Sequence, residues 1–175
     1  MSVEIDIIIA AGAWARFDGL EALTRESVAA SLAESGARLV VGCEVSVTFC
    51  DDARIRALNA EWRGKDTPTN VLSFPTPGPL VARPLLGDIV IAYETVAREA
   101  AEQEKTFREH TAHMVIHGFL HLIGYDHETA AEAEAMEGLE RRIASRLGLH
   151  DPYAGEAADE TDNASELNEG HVDTI

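Results

Sequence analysis

Apolar positions recur with two different periods along this chain, and each change of period marks an element. In "VEIDIIIA" (3–10) and "CEVSVTFC" (43–50) they follow strand spacing, while "LTRESVAASLAESG" (23–36) between them repeats as a helix does and ends at Gly36. Asp51 or Asp52 offers a cap for the next helix, in which Ile55, Leu58 and Trp62 recur at i, i+3 and i+7 and are expected to form its buried face. "RGKDTPTN" (63–70) is punctuated by Gly64 and Pro68 and reads as a loop. A short strand "VLSF" (71–74), the Pro-rich connection "PTPGPLVARP" (75–84), a fourth strand "LGDIVIAY" (86–93) and a helix from about 94 to 105 follow. Thr106 and Glu109 have capping-box spacing, which opens a helix that Gly124 stops after Ile123. "ETAAEAEAMEGLERRIASRLG" (128–148) is the last helix, with basic residues near its C-terminal end. The series predicts an α+β domain: a mixed sheet of about four strands packed with about five helices, one sheet face lying against the helix 106–123.

A chain of 175 residues, 46% of them hydrophobic, fits one domain, expected over residues 1–150. The net charge of -17 divides unevenly. Residues 151–175 hold 8 acidic residues and no Lys or Arg, leaving 14 basic against 23 acidic, or -9, in the first 150. With few large apolar residues, this acidic tail is expected to be disordered and solubilising. The global field repels phosphate, so a nucleic-acid ligand requires a local basic patch. The N-terminus is acidic where a secretory signal is basic, and no apolar run approaches the roughly 18 residues of a membrane span, so a cytoplasmic protein without membrane association is expected. Cys43 and Cys50 stand at an odd offset in one strand-like run, which points them to opposite sheet faces as separate, reduced, buried thiols.

The candidate chemistry lies in "HGFLHLIGYDH" (117–127). On a helix His117 and His121 share one face a turn apart, a spacing that lets two imidazoles meet one ion. A straight helix would carry a third ligand out of reach. Gly124 stands where the chain must turn, and the turn returns His127 to the other two. Three neutral nitrogens leave one tetrahedral position for water, the arrangement of a catalytic zinc rather than a closed structural one. A bare H-x-x-x-H pair is weak; the glycine at the required place makes the pattern specific. His110 and His113 lie toward the N-terminus of the same helix, too far along its axis to share an ion with His121, and are expected to support or pack. His150 and His171 are expected to be solvated. Zinc peptidases carry a glutamate base after the first histidine, and this chain has Gly118 there. Ordinary peptide hydrolysis is therefore disfavoured, whereas a metal that activates water or polarises a phosphoryl oxygen leaves phosphodiester chemistry open.

The same segment resembles the signature of the YbeY-type bacterial endoribonucleases, rRNA maturation factors of the metal-dependent hydrolase kind. "LNAEWRGKDTPTNVLSFP" (58–75) and "LGDIVI" (86–91) are similar to that family's upstream segments, and "MEGLERRI" (136–143) to its closing helix. The acidic tail departs from the family's compact pattern. The resemblance implies a zinc-dependent, single-strand-selective endoribonuclease acting in 16S rRNA 3′-end maturation and ribosome quality control, with one zinc ion held by His117, His121 and His127. It implies Arg63 and His117 as catalytic residues, and as partners rRNA and the small ribosomal subunit, with a small-subunit ribosomal protein and an assembly GTPase. A guanidinium opposite a metal suits phosphate, since it binds two oxygens at once and offsets charge developing at phosphorus. Lys65 and Arg83 are candidates for a basic strip that guides the RNA backbone, although a solvated surface explains them equally. Thr69, Asn70 and Ser73 either line the groove or make strand-end hydrogen bonds. Asp88 and Asp126 are candidates for orienting an imidazole, with turn capping the alternative for Asp126. Tyr125 and Phe74 stack with bases or pack in the core. Two rivals stand beside this reading: an atypical zinc peptidase that recruits Asp88 as its base, and a non-catalytic assembly factor whose zinc pins the helix end.

Overall fold

The computed structural model describes residues 3–154 together with Asp173 and Thr174. The alternating apolar runs form β1 (Glu4–Ile9), β2 (Glu44–Cys50), β3 (Val71–Pro75) and β4 (Leu85–Ala92), joined by a two-residue β5 (Asp173–Thr174), in the order β1-β2-β4-β3-β5. β1, β2 and β4 run parallel, β3 runs antiparallel to β4, and β5 lies parallel to β3. Parallel neighbours cannot be joined by a tight turn, and the crossover from β1 to β2 is made by α1 (Leu20–Ser35). The expected mixed sheet and α+β class are what the chain adopts.

Strand alternation divides the core between the two sheet faces. Val45, Val47, Phe49, Val71, Ile89 and Ile91 join one buried cluster, while Cys50, Leu72, Val90 and Ala92 join another with Ile55 of α2 (Asp52–Arg63). Cys43 belongs to the first cluster and Cys50 to the second, and both thiols are free. Burial pushes both thiols up, Cys50 to about 12, which leaves them protonated and inert.

The first face receives α4 (Phe107–Leu122), which is capped by the Thr106 hydroxyl accepting from the Glu109 N–H at 3.0 Å. From His110 to Leu122 every residue of α4 is buried except His113, which is intermediate. The helix is enclosed by the sheet, α1, α3 (Tyr93–Glu102) and α5 (Ala130–Arg146), and a helix enclosed on all sides is apolar on all sides. Trp14 anchors the opposite end of this layer, stacking on Phe107 and donating its Nε1–H to the Cys50 carbonyl at 2.8 Å.

One expected core position is different. Trp62 is 57% exposed, and the buried residue of that turn is Asn59. The loop after α2 folds back beneath the helix, with the Asn59 amide donating to the Thr67 carbonyl at 2.9 Å and the Lys65 N–H to the Asn59 carbonyl. A polar contact thus closes the last turn, and Trp62 meets Phe74 edge-on, ring centroids 6.2 Å apart.

Residues 151–154, the start of the expected tail, form a turn packed near α4 and α5; its remainder, including His171 but not Asp173 and Thr174, lies outside the described residues. Among the described residues no helix is long and apolar enough to cross a membrane.

Candidate metal centre

The end of α4 brings the three histidines together. Gly124 adopts φ 107°, a region L side chains avoid; its N–H bonds the His121 carbonyl at 3.1 Å and the Tyr125 N–H bonds the Leu120 carbonyl at 3.0 Å. This is a Schellman termination, and it reverses the chain within one turn. His127 returns to within 5.2 Å of His121 and 5.9 Å of His117, centroid to centroid, while His117 and His121 are 4.6 Å apart. One ligating atom from each of the three lies within 4.8 Å of the others.

Glu140 fixes which nitrogens face inward. Its Oε2 stands 3.3 Å from His117 Nδ1, and as a carboxylate it accepts, so the proton sits on Nδ1 and the Nε2 lone pair is free. That lone pair faces His121 Nε2 at 2.9 Å. Two ring nitrogens at this distance repel unless a proton or a cation lies between them. Burial, and then the neighbouring His117 and His127, push His121 down to about 3; burial and His117 push His127 down as well. Both shifts favour the neutral form, in which imidazole ligates a metal. Buried, neutral, convergent nitrogens fit a zinc-like ion.

Glu140 itself is 1% exposed and His113 also bonds its Oε2. Burial pushes its carboxyl up, but the adjacent His117 and His113 and the hydrogen bonds they make to it outweigh this and hold it well below the usual carboxylate range. His113, His117 and Glu140 form a second close group that shares His117 with the first. No local motif spacing gives Glu140 a role. Met136, Leu139 and Ile143 form the buried stripe of α5, and an acid standing within that stripe was the available signal.

Gly118 faces the sheet. A Cβ there would stand 2.8 Å from Ile89 Cγ2 and 3.2 Å from Ser73 Oγ. The position a peptidase gives to its glutamate is thus a helix–sheet contact. Ser73 corrects its expectation as a groove residue: it is fully buried, and its hydroxyl donates to the Gly118 carbonyl at 3.0 Å. Asn70 is also buried and bonds Glu99 at 2.9 Å rather than opening to a groove. Arg83 donates to the Gly78 carbonyl at 2.8 Å and to the Leu122 carbonyl at 3.1 Å, which ties its guanidinium to the end of α4. Asp126 accepts from the His127 backbone N–H at 2.8 Å and lies 3.9 Å from His127 Nδ1, so the turn-capping role is the one with hydrogen-bond geometry. Asp88 is exposed on β4, opposite Ser46 and Phe74 in register. Arg63 closes α2 half-buried, donating to Asn59 Oδ1 at 3.2 Å, and burial lowers its pKa; Lys65 follows it, exposed. Tyr125 is half-buried against Ile116, Leu120 and their neighbours, and His110 bonds Glu99 at 3.0 Å. His150 is exposed but paired with Glu109 at 2.9 Å.

A mixed sheet backing a buried helix whose end gathers three imidazoles is the frame of a protein with a candidate three-histidine metal site. The family model of endoribonuclease YbeY matches residues 15–148, and the chain belongs to that family of nucleases. It is 56% identical over 153 residues to an endoribonuclease YbeY of Methylocella silvestris, covering 87% of each chain. It is 51% identical over 161 residues to that of Sinorhizobium fredii, covering 87% of this chain and 92% of the relative. A Thermotoga maritima protein whose structure was solved in solution shares the fold with a TM-score of 0.54 at 26% identity, over 93% of this chain and 98% of the other.

Proposed function

We propose that this protein is a zinc-dependent, single-strand-selective endoribonuclease that acts in 16S rRNA 3′-end maturation and ribosome quality control in the cytoplasm. The convergence of His117, His121 and His127 at the end of α4 carries the reading. These three side chains would hold one zinc ion, which when bound supplies a Lewis acid and an acidified water. Glu140 accepts from His117 Nδ1, and burial favours the unprotonated form of His121 and His127, so the donor atoms are poised before any ion arrives.

Arg63 offsets charge at the scissile phosphate with a planar, bidentate donor set. Lys65 beside it is free to meet the backbone of the strand, whereas Arg83, tied to two carbonyls, is better suited to holding the helix end. Trp62 presents an exposed ring next to Arg63, edge-on to Phe74, and an aromatic face beside cations suits an unpaired base more than a duplex. In this reading residues 1–150 form the catalytic domain and the acidic stretch beyond is a solubilising extension. The partners are rRNA and the small ribosomal subunit, with a small-subunit ribosomal protein and an assembly GTPase bringing an acidic enzyme to an acidic substrate. A peptidase reading has little support, because Gly118 leaves no base after the first histidine and points at Ile89.

The test is complementation. In a depletion strain, His117→Ala and Arg63→Ala proteins that fold normally should each leave 16S rRNA with unprocessed 3′ ends. Normal processing with both would leave an assembly factor without catalysis.

A further inference from the structure

The root of the acidic extension reaches the back of the metal centre. Tyr153 donates its hydroxyl to Glu140 Oε2 at 3.0 Å, the same oxygen that faces His117 Nδ1 and His113 Nε2. Glu140 Oε1 is buried with no hydrogen-bond partner among the described residues, so this carboxylate is held through one oxygen. The tyrosine ring stands edge-on to His113, centroids 5.4 Å apart, and Arg141 lies over it at 5.3 Å. Contacts of the three residues before it fix the segment that carries the ring: Arg141 pairs with Asp151 at 3.4 Å, Lys105 bonds the Pro152 carbonyl, and His150 bonds Glu109. A carboxylate held through one oxygen and stripped of one of its few donors is free to shift, and a shift releases the imidazole it orients.

We infer that Tyr153 is a positioning residue for His117: by fixing Glu140 it sets the orientation of a metal-facing imidazole, so that docking of residues 151–154 tunes metal affinity. The inference rests on the reading that His117, His121 and His127 hold the ion. The chain therefore extends its metal site beyond the last helix. A phenylalanine at 153 keeps the ring against His113 and Arg141 and removes only the hydroxyl, so the hydrogen bond can be tested without undocking the segment.

Zinc affinity of the full-length protein, measured by competition with a chromophoric chelator, tests this in wild type, Tyr153→Phe, Glu140→Gln and the double variant, alongside thermal unfolding of each metal-free protein. Tyr153→Phe should bind zinc about tenfold more weakly, the lower end of what lost supporting hydrogen bonds cost, with an unchanged metal-free Tm. Because the hydroxyl acts through Glu140, the double variant should bind no more weakly than Glu140→Gln alone. Wild-type affinity in Tyr153→Phe, or additive losses in the double variant, would overturn the inference and leave the three-histidine site standing. Two zinc equivalents lost with Glu140→Gln would also overturn it, by making Glu140 a ligand of a second ion. A wild-type protein that binds no zinc would overturn the inference and the proposed function together.

Discussion

Gly118 is the residue where structure and chemistry meet most closely. A glutamate there would serve a peptidase, but the α-carbon lies so near β4 that even a methyl group would press on Ile89 at 2.8 Å. Gly118→Ala weighs two opposed effects. Alanine favours a helix interior by about 1 kcal/mol over glycine. Overpacking a filled core costs about 1–3 kcal/mol, and the contacts here include the stiff β-branched Ile89 and the Ser73 hydroxyl that bonds the Gly118 carbonyl. Sterics should win: chemical denaturation is expected to show Gly118→Ala less stable by about 1–2 kcal/mol, and a stabilised variant would mean that α4 does not lie this close to the sheet. Glu140, buried and charged, is likewise a residue whose neighbours decide its state.

At the scale of elements, α4 is held to α3 and to the start of β3 by Glu99, which accepts from His110 at 3.0 Å and from Asn70 at 2.9 Å. Burial pushes the Glu99 carboxyl up, but the hydrogen bonds from His110 and Asn70 outweigh it and bring the pKa below its usual 4.5. A carboxyl lower in the folded than the unfolded state adds stability above pH 4.5 that is lost as pH falls through the folded value. Glu99→Gln should therefore cost about 1–3 kcal/mol near neutral pH, and the gap from wild type should close on acidification below pH 4.5. Denaturation curves across pH that stay parallel would contradict this. The elements themselves were legible from sequence because their signals are local: the Thr106 cap, the Gly64 and Gly124 stops and the alternation of β2 and β4 each act within a few residues. Trp62 was not, because its exposure depends on a loop that folds back under α2.

The histidine triad was readable for the same reason as a cap: its spacing is set by one helix and one turn. What supports it was not. Glu140 lies 23 residues from His117 on another helix, Tyr153 lies beyond that helix, and Ser73 and Arg83 reach α4 from β3 and from the connection before β4. Only packing of the whole molecule assigns them. The whole molecule also has an unfavourable field for its proposed substrate, with 31 acidic residues against 14 basic, so the proposed reading requires local cations such as those at the end of α2. The claim on which the rest depends is that the three imidazoles hold an ion that cleaves RNA. Cleavage of a 3′-extended 16S precursor by purified protein of known metal content, followed as a chelator is titrated in, tests it most directly. We expect activity to fall in step with the loss of one zinc per chain and to return when zinc is restored. Undiminished cleavage by fully metal-free protein would contradict the account.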